Sequence, residues 1–223
     1  DVYKRQILDL AGGTGYNSNF IQEYNDYSID LVDISKQMLK QCQNSSINKV
    51  CKGMLEFLTV QESCCYDAIV CTWALMYEQP QKVLNQCQRL LKNGGYLYIL
   101  VNDQQTLPQI RKIYPKLLIE YVGSINKLMF DLPMPNNAQQ LERWAKKAGL
   151  KNCRVTSKKQ EFYFTDWNRA AKFVTSTGAL AGYDAMLDLK NEKIFNTLVE
   201  QLQKFFTKPC ITHHFVMGIF KKG

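Results

Sequence analysis

The sequence predicts an α/β protein with a seven-stranded, mostly parallel sheet, an antiparallel last strand and helices on both faces. Apolar runs rich in β-branched and aromatic residues alternate with segments of helical period, which is typical of βα units. The C-terminal end departs from this alternation, because it contains two long strand-like segments. With 46% apolar residues among 223, the chain is long enough to bury a sizeable core.

Each predicted element follows from its local pattern. The strand-like runs are residues 7–11, 29–34, 50–58, 66–73, 96–101, 153–164 and 211–220. The segments with one apolar face at helical spacing are residues 17–24, 35–43, 80–92, 109–121, 138–148, 167–174 and 193–206. Ser35 is an N-cap candidate, and Gly94-Gly95 and Gly149 are expected to end the helices that precede them.

The first six residues, DVYKRQ, resemble the in-frame translation of a transposase mosaic end used to build sequencing libraries. We interpret residues 1–6 as an adapter scar and exclude them from fold reasoning. The expected organisation of the remainder is one N-terminally truncated domain over residues 7–223, with halves at 7–101 and 102–223. A truncated N-terminus leaves any organellar targeting signal open.

Composition narrows the functional classes. The net charge of +8 is spread along the chain and mixed with acids, which disfavours a nucleic-acid partner. No apolar run is long enough to span a bilayer, so we expect no membrane partner. The eight cysteines include no CxxC pair and no Cys/His cluster, which predicts reduced thiols in the cytoplasm and no metal.

A glycine-rich loop ends the first predicted strand, in the stretch ILDLAGGTG at residues 7–15. A P-loop would need Gly-Lys-Ser/Thr, which does not follow, and a dinucleotide fingerprint fits poorly because Ser18 replaces its third glycine. S-adenosylmethionine carries no phosphate, so a loop that binds it needs only to let the ligand come close to the backbone at Gly13 and Gly15. The second predicted strand reaches Asp33, eighteen residues beyond Gly15, where a carboxylate can accept both ribose hydroxyls.

The stretch ILDLAGGTG resembles motif I of the class I S-adenosylmethionine-dependent methyltransferases, with Ala11 in place of the first glycine. LVDISKQML and YDAIVCTW, with the later Gly-Gly turn, resemble the family's ribose-binding segment and its fourth and fifth strands. The resemblance covers about residues 7–101, and it implies a Rossmann-like fold with S-adenosylmethionine as cofactor and residues 7–101 as the donor-binding half. It implies donor contacts at Asp9, Ala11, Gly12, Gly13, Gly15, Asp33, Ile34, Met38, Met54, Leu55 and Thr72.

One of these positions departs from the family pattern. Relatives often have an aspartate after the third strand that holds the adenine amino group, and this chain has Met54 there. We expect Met54 to offer a backbone amide and a soft side-chain face to adenine instead.

Aromatic residues border the side on which the family binds its methyl acceptor. Trp73, Tyr77 and Tyr16 lie at or just beyond the C-terminal ends of predicted strands, and an aromatic face suits a cationic sulfonium. His213 and His214 are the only histidines and, being adjacent in a strand, point to opposite faces. Since no general base is evident, the sequence favours an acceptor that is already ionised, such as a carboxylate.

The C-terminal part loosely resembles the carboxyl O-methyltransferases of the trans-aconitate and malonyl-carrier-protein type. This implies Trp167, Arg169 and Thr177 near the acceptor, so Trp73, Tyr77 and Trp167 are the predicted acceptor-positioning residues. The expected function is O-methylation of a small-molecule carboxylic acid. A quinone-type C-methyltransferase, whose first motif is often the same LDLAGGTG, and a non-catalytic binding module of the same fold stay open as alternatives.

Overall fold

The computed structural model describes residues 4–24, 26–125, 132–176, 180 and 183–223. The strands in these residues form one sheet in the order β3-β2-β1-β4-β5-β7-β6. They are β1 Gln6–Leu10, β2 Ser28–Asp33, β3 Ile47–Cys51, β4 Tyr66–Thr72, β5 Leu91–Asn102, β6 Leu150–Tyr163 and β7 Cys210–Lys222. Strands β1 to β5 pair in parallel and β7 runs antiparallel to β5, which confirms the predicted sheet.

Helices connect these strands. They are α1 Tyr16–Tyr24, α2 Lys36–Leu39, α3 Met54–Val60, α4 Pro80–Leu90, α5 Pro108–Glu120, α6 Ala138–Lys147, α7 Trp167–Ser176, α8 Tyr183–Met186 and α9 Glu192–Phe205. The strand order reverses at β1, which has β2 on one side and β4 on the other. In open α/β sheets, such a reversal leaves a crevice at the carboxyl ends of the strands, where ligands bind.

The chain divides into two compact units. The first contains Asp1–Asp103, Pro133–Lys158 and Phe215–Gly223, and the second contains Gln104–Leu132 and Lys159–His214. The second unit has its own apolar core, in which buried residues of α5, α7 and α9 pack together. The prediction that residues 7–223 form a single domain stays a prediction.

The third predicted strand is wrong in its second half. Residues 50–58 were expected to be one strand, but β3 ends at Cys51 and α3 begins at Met54. Gly53 caps this helix, and its N–H donates to the side chain of Glu56 at 3.4 Å. Met54, Phe57 and Leu58 are buried at helical spacing, so tertiary burial of this face decides against the strand.

Two other expectations also need correction. Helix α2 is a single turn rather than the nine residues predicted, although Ser35 does cap it by accepting from Met38 N. Gly94 does not end α4. It lies inside β5 with a φ of 80°, where the pairing with β4 shifts register. Gly149, with a φ of 84°, follows α6 as predicted.

No helix in the described part of the chain is both long enough and apolar enough to cross a membrane.

The side chain of Arg89 joins α4 to the end of α3. Its guanidinium donates to the carbonyls of Leu58 and Gln61, both at 2.8 Å, and to Ser63 Oγ at 3.2 Å. Because one guanidinium group satisfies the last carbonyls of a short helix, we expect Arg89→Ala to lower the free energy of unfolding by about 1–3 kcal/mol. Urea unfolding measures this, with the exposed Arg143→Ala as control. An equal effect of the two substitutions would contradict the bridging role.

Candidate functional site

The glycine loop leaves β1 in a left-handed turn. Ala11 has a φ of 54°, Gly13 of 59° and Gly15 of 77°. The loop is held to the neighbouring strand by a bond from Gly12 N to Val32 O at 3.1 Å. Ala11 therefore adopts the left-handed conformation that glycine favours, although it replaces the first glycine of the motif. For a residue with a Cβ, this conformation costs roughly 1–2 kcal/mol.

The three glycines of the loop are needed for different physical reasons. A Cβ on Gly12 would lie 2.5 Å from Asp9 Cγ, and one on Gly15 would lie 2.8 Å from Leu31 Cδ2. A Cβ on Gly13 would meet no atom within 4 Å. Gly12 and Gly15 thus permit internal packing, while Gly13 borders open space where a ligand can approach the backbone.

The carboxylate of Asp33, at the end of β2, reaches this open position. Its Oδ2 accepts from Gly13 N at 2.9 Å, and its Oδ1 accepts from Ser35 N at 2.8 Å. Asp33 is partly exposed. One acidic side chain therefore fixes the loop after β1 and the start of α2, and it remains open to solvent.

Asp9 lies beneath the loop and is completely buried. Its Oδ2 accepts from Ser18 Oγ at 2.7 Å and from Ser18 N at 3.1 Å. Burial raises the pKa of Asp9, and the bonds from Ser18 oppose this shift. In the sequence, Ser18 stands out only as the residue that replaces the third glycine of a dinucleotide fingerprint, whereas in the structure it supplies two donors that hold a buried acid.

The carboxyl end of β4 faces the loop from the neighbouring strand. Thr72 Oγ1 accepts from Asn17 Nδ2 at 2.9 Å, which ties β4 to the first turn of α1. Trp73 has a φ of 60°, its N–H donates to Leu100 O, and its ring meets Phe215 edge-on at 5.4 Å. Asn17 was not among the predicted site residues, because only its contacts with distant residues such as Thr72 distinguish it from an ordinary helix-surface amide.

The aromatic residues predicted for the acceptor side are accessible. Trp73 is 40% exposed, Tyr77 is 54% exposed in a short 3-10 turn, and Tyr16 is 78% exposed at the start of α1. Such exposure leaves these rings available to a ligand.

The remaining predicted donor contacts differ in accessibility. Ile34 and Met38 are exposed around α2, and Leu55 is half-buried. Met54 is buried in the first turn of α3, so its side chain belongs to the core. Of the two contributions expected from Met54, a soft side-chain face for adenine does not fit this burial.

The predicted acceptor residues of the second unit differ in exposure. Trp167 is buried, and its Nε1 donates to Phe206 O at 3.1 Å, so much of its surface is taken up by packing. Arg169 is exposed and lies 3.9 Å from Asp166, and Thr177 is outside the described residues. His213 is a buried residue whose ring lies edge-on against Phe162, and burial lowers its pKa.

A cavity of about 840 Å³ lies elsewhere in the first unit, along α1 and toward the amino-terminal ends of the parallel strands. Its lining includes Phe20, Tyr24, Tyr96 and Tyr98 but none of the loop glycines. We therefore place the candidate site at the carboxyl ends of β1, β2 and β4, where Gly13, Asp33 and Thr72 lie.

Residues 8–99 match the profile of a family described as a methyltransferase domain. The chain is 28% identical over 132 residues to the ubiquinone/menaquinone biosynthesis C-methyltransferase of Francisella tularensis subsp. novicida, covering 55% of this chain and 53% of that protein. It is 28% identical over 112 residues to the malonyl-[acyl-carrier protein] O-methyltransferase of Herminiimonas arsenicoxydans, covering 50% and 42%. The chain thus spans about half the length of these curated relatives or less.

The fold has solved counterparts. A crystal structure from Bacillus halodurans C-125, described as that of a methyltransferase candidate, has a TM-score of 0.63 at 15% identity. The match covers 98% of this chain and 93% of that one. At this identity, the likeness shows the fold alone.

The reversed strand order, the glycine loop and the acid after β2 define a Rossmann-like fold with a ligand crevice at the carboxyl ends of the strands. Residues 8–99 match a methyltransferase domain, and the similarity to the curated relatives supports a likeness to the class I S-adenosylmethionine-dependent methyltransferases.

We expect Gly12→Ala to lower the free energy of unfolding by about 1–3 kcal/mol, because its Cβ would overlap Asp9 and Leu31 in a packed interior. Gly123→Ala is the matched control, since a Cβ there meets no atom within 4 Å. Chemical denaturation of both variants measures the difference. A Gly12→Ala protein as stable as the control would contradict the close approach.

The burial of Asp9 predicts a pH dependence of stability. The pKa of Asp9 is higher in the folded than in the unfolded state. The stabilisation that this difference provides is fully present below the unfolded pKa of about 4, and it is lost as the pH rises through the folded-state pKa. Asp9→Asn is uncharged and keeps an oxygen that can accept from Ser18. The melting temperature of Asp9→Asn relative to wild type should therefore increase between pH 4 and pH 7. Glu23→Gln, which removes an exposed acid, should show no such trend.

Proposed function

We propose that this chain transfers a methyl group from S-adenosylmethionine to a small-molecule acceptor. The observation that carries the proposal is the pairing of Gly13 with Asp33. An unobstructed backbone position lies 2.9 Å from the oxygen of a partly exposed carboxylate, at the reversal of the strand order. A ligand with an uncharged, hydroxyl-rich sugar suits this arrangement, because the ribose hydroxyls can donate to Asp33.

The residues at this edge fit the cofactor. Asp33 would accept from the ribose, the exposed side chains of Ile34 and Met38 would border the adenine, and the backbone around Gly13 would pass close to the amino-acid end. When bound, the cofactor supplies an electrophilic methyl group on a sulfonium. The chain's own contribution is to hold donor and acceptor in line, and such positioning can supply on the order of 7–11 kcal/mol of the barrier.

The acceptor we favour is a small carboxylic acid, methylated on oxygen. Both acids of the candidate site already accept hydrogen bonds, Asp9 from Ser18 and Asp33 from two backbone amides. Asp9 is completely buried and Asp33 is the proposed ribose acceptor, so neither suits the role of general base, and an acceptor that needs no deprotonation suits this site. Trp73 and Tyr77 would flank the acceptor and exclude water.

A second candidate is C-methylation of a quinone-like ring. The similarity to the Francisella C-methyltransferase covers more of this chain than the similarity to the carboxyl O-methyltransferase, at equal identity. The exposed Trp73 and Tyr77 would also suit a planar aromatic acceptor.

We expect Asp33→Ala to weaken S-adenosylmethionine binding by about 1–3 kcal/mol, because the ribose loses a charged acceptor. The same substitution should lower the free energy of unfolding by about 1–2 kcal/mol, since Gly13 N and Ser35 N lose their partner. Calorimetric titration measures the first effect and thermal unfolding the second. Glu23→Ala, which removes an exposed acid from α1, should leave donor affinity unchanged.

Methyl transfer against a panel of small carboxylic acids and quinones tests the acceptor. A carboxylate acceptor should give a product whose methyl is released by mild alkali, and activity should stay nearly flat from about pH 6 to pH 8, above the acceptor's pKa of roughly 4. A methyl that survives alkali would favour the quinone-type reaction. Donor binding without transfer to any compound would support the non-catalytic module.

A further inference from the structure

Three lysines line one cavity in the first unit. Lys36, Lys40 and Lys49 border a cavity of about 420 Å³ between α2 and β3. Lys36 and Lys40 stand one helical turn apart, and Lys40 N donates to Lys36 O at 3.1 Å. Lys49 is on the edge strand of the sheet, on the same face as Cys51, which also lines the cavity.

The three lysines form no ion pair in the described part of the chain. None of the ion pairs found there includes Lys36, Lys40 or Lys49. Three carboxylates on the adjoining elements β2 and α3 have other partners. Asp30 accepts from Tyr66 and Asn48, Asp33 from Gly13 and Ser35, and Glu56 lies against Lys52 and accepts from Gly53.

The three lysines are exposed, so their like charges raise the local positive potential and favour a bound anion, most strongly at low ionic strength. The floor of the cavity contains Leu39 and Cys42, which are buried and apolar, so it can also accept a non-polar part of a ligand. A volume of about 420 Å³ is within the range of small-molecule sites.

We propose that this cavity binds a phosphate-bearing small molecule with at least two negative charges. Ammonium groups bind phosphoryl oxygens as compact point charges, and three of them around one space match a diphosphate better than a single carboxylate. The cavity shares no lining residue with the proposed donor site, and the proposal does not rest on the proposed methyl transfer.

Inorganic pyrophosphate is the probe. Titration calorimetry of the wild-type chain at low ionic strength should show one binding site, whose affinity falls as salt is added. The triple variant K36Q/K40Q/K49Q should bind at least about tenfold more weakly, since each exposed charge pair contributes roughly a two- to fivefold factor. The control K146Q/K147Q/K158Q removes the same number of exposed lysines elsewhere in the first unit and should bind like wild type.

Lysine acetylation read by mass spectrometry tests the same proposal without any variant. Pyrophosphate should protect Lys36, Lys40 and Lys49 in the wild-type chain and leave Lys146 and Lys147 reactive. The proposal is overturned if wild type binds no pyrophosphate at millimolar concentration, if both triple variants lose affinity equally, or if protection is absent. Displacement of pyrophosphate by S-adenosylhomocysteine would also overturn it, by placing the anion in the donor site, as would preferential protection by duplex DNA.

Discussion

The carboxylate of Asp33 joins two loops that leave neighbouring strands. One oxygen holds the amide of Gly13 after β1, and the other holds the amide of Ser35 at the start of α2. Since Gly12 N also bonds to Val32 O, the loop and the end of β2 are fixed at adjacent points. The side chain of Asp33 therefore determines the shape of the glycine loop and the start of α2. It also provides the negative charge that a ligand would meet.

Two of the four non-glycine residues with a positive φ in the described chain lie at the same edge of the sheet. Ala11 after β1 and Trp73 after β4 both adopt left-handed conformations, with φ of 54° and 60°, although neither is glycine. Each costs on the order of 1–2 kcal/mol and persists only where the surroundings hold it. For Trp73 the constraints are the bond to Leu100 O and the contact with Phe215. Strain at the ends of the two strands that flank the reversal is consistent with a functional edge.

Periodicity predicted the sheet and most helices because the βα repeats leave strong local patterns, as in Ile7 to Leu10 and in the buried face of α4. It failed at Met54–Val60, where an apolar run fits a strand or a helix and the burial of Met54, Phe57 and Leu58 decides between them. In the candidate site, Gly13 and Asp33 were recognisable from spacing. The roles of Ser18, Asn17 and Trp167 depend on contacts between distant segments, which sequence periodicity does not report.

In the proposed reaction, the residues that would hold the donor and those that would choose the acceptor are under different constraints. The family profile covers residues 8–99, which include Gly13, Asp33 and Thr72, and two relatives of equal identity are named for different methylation chemistries. A backbone loop and one carboxylate are thus compatible with either reaction. In the proposed methyl transfer, the choice between carbon and oxygen must come from the groups that face the acceptor. Asp9 is buried and Asp33 is the proposed ribose acceptor, so an acceptor that is already ionised suits the proposed site best, because the protein would then have only to orient it.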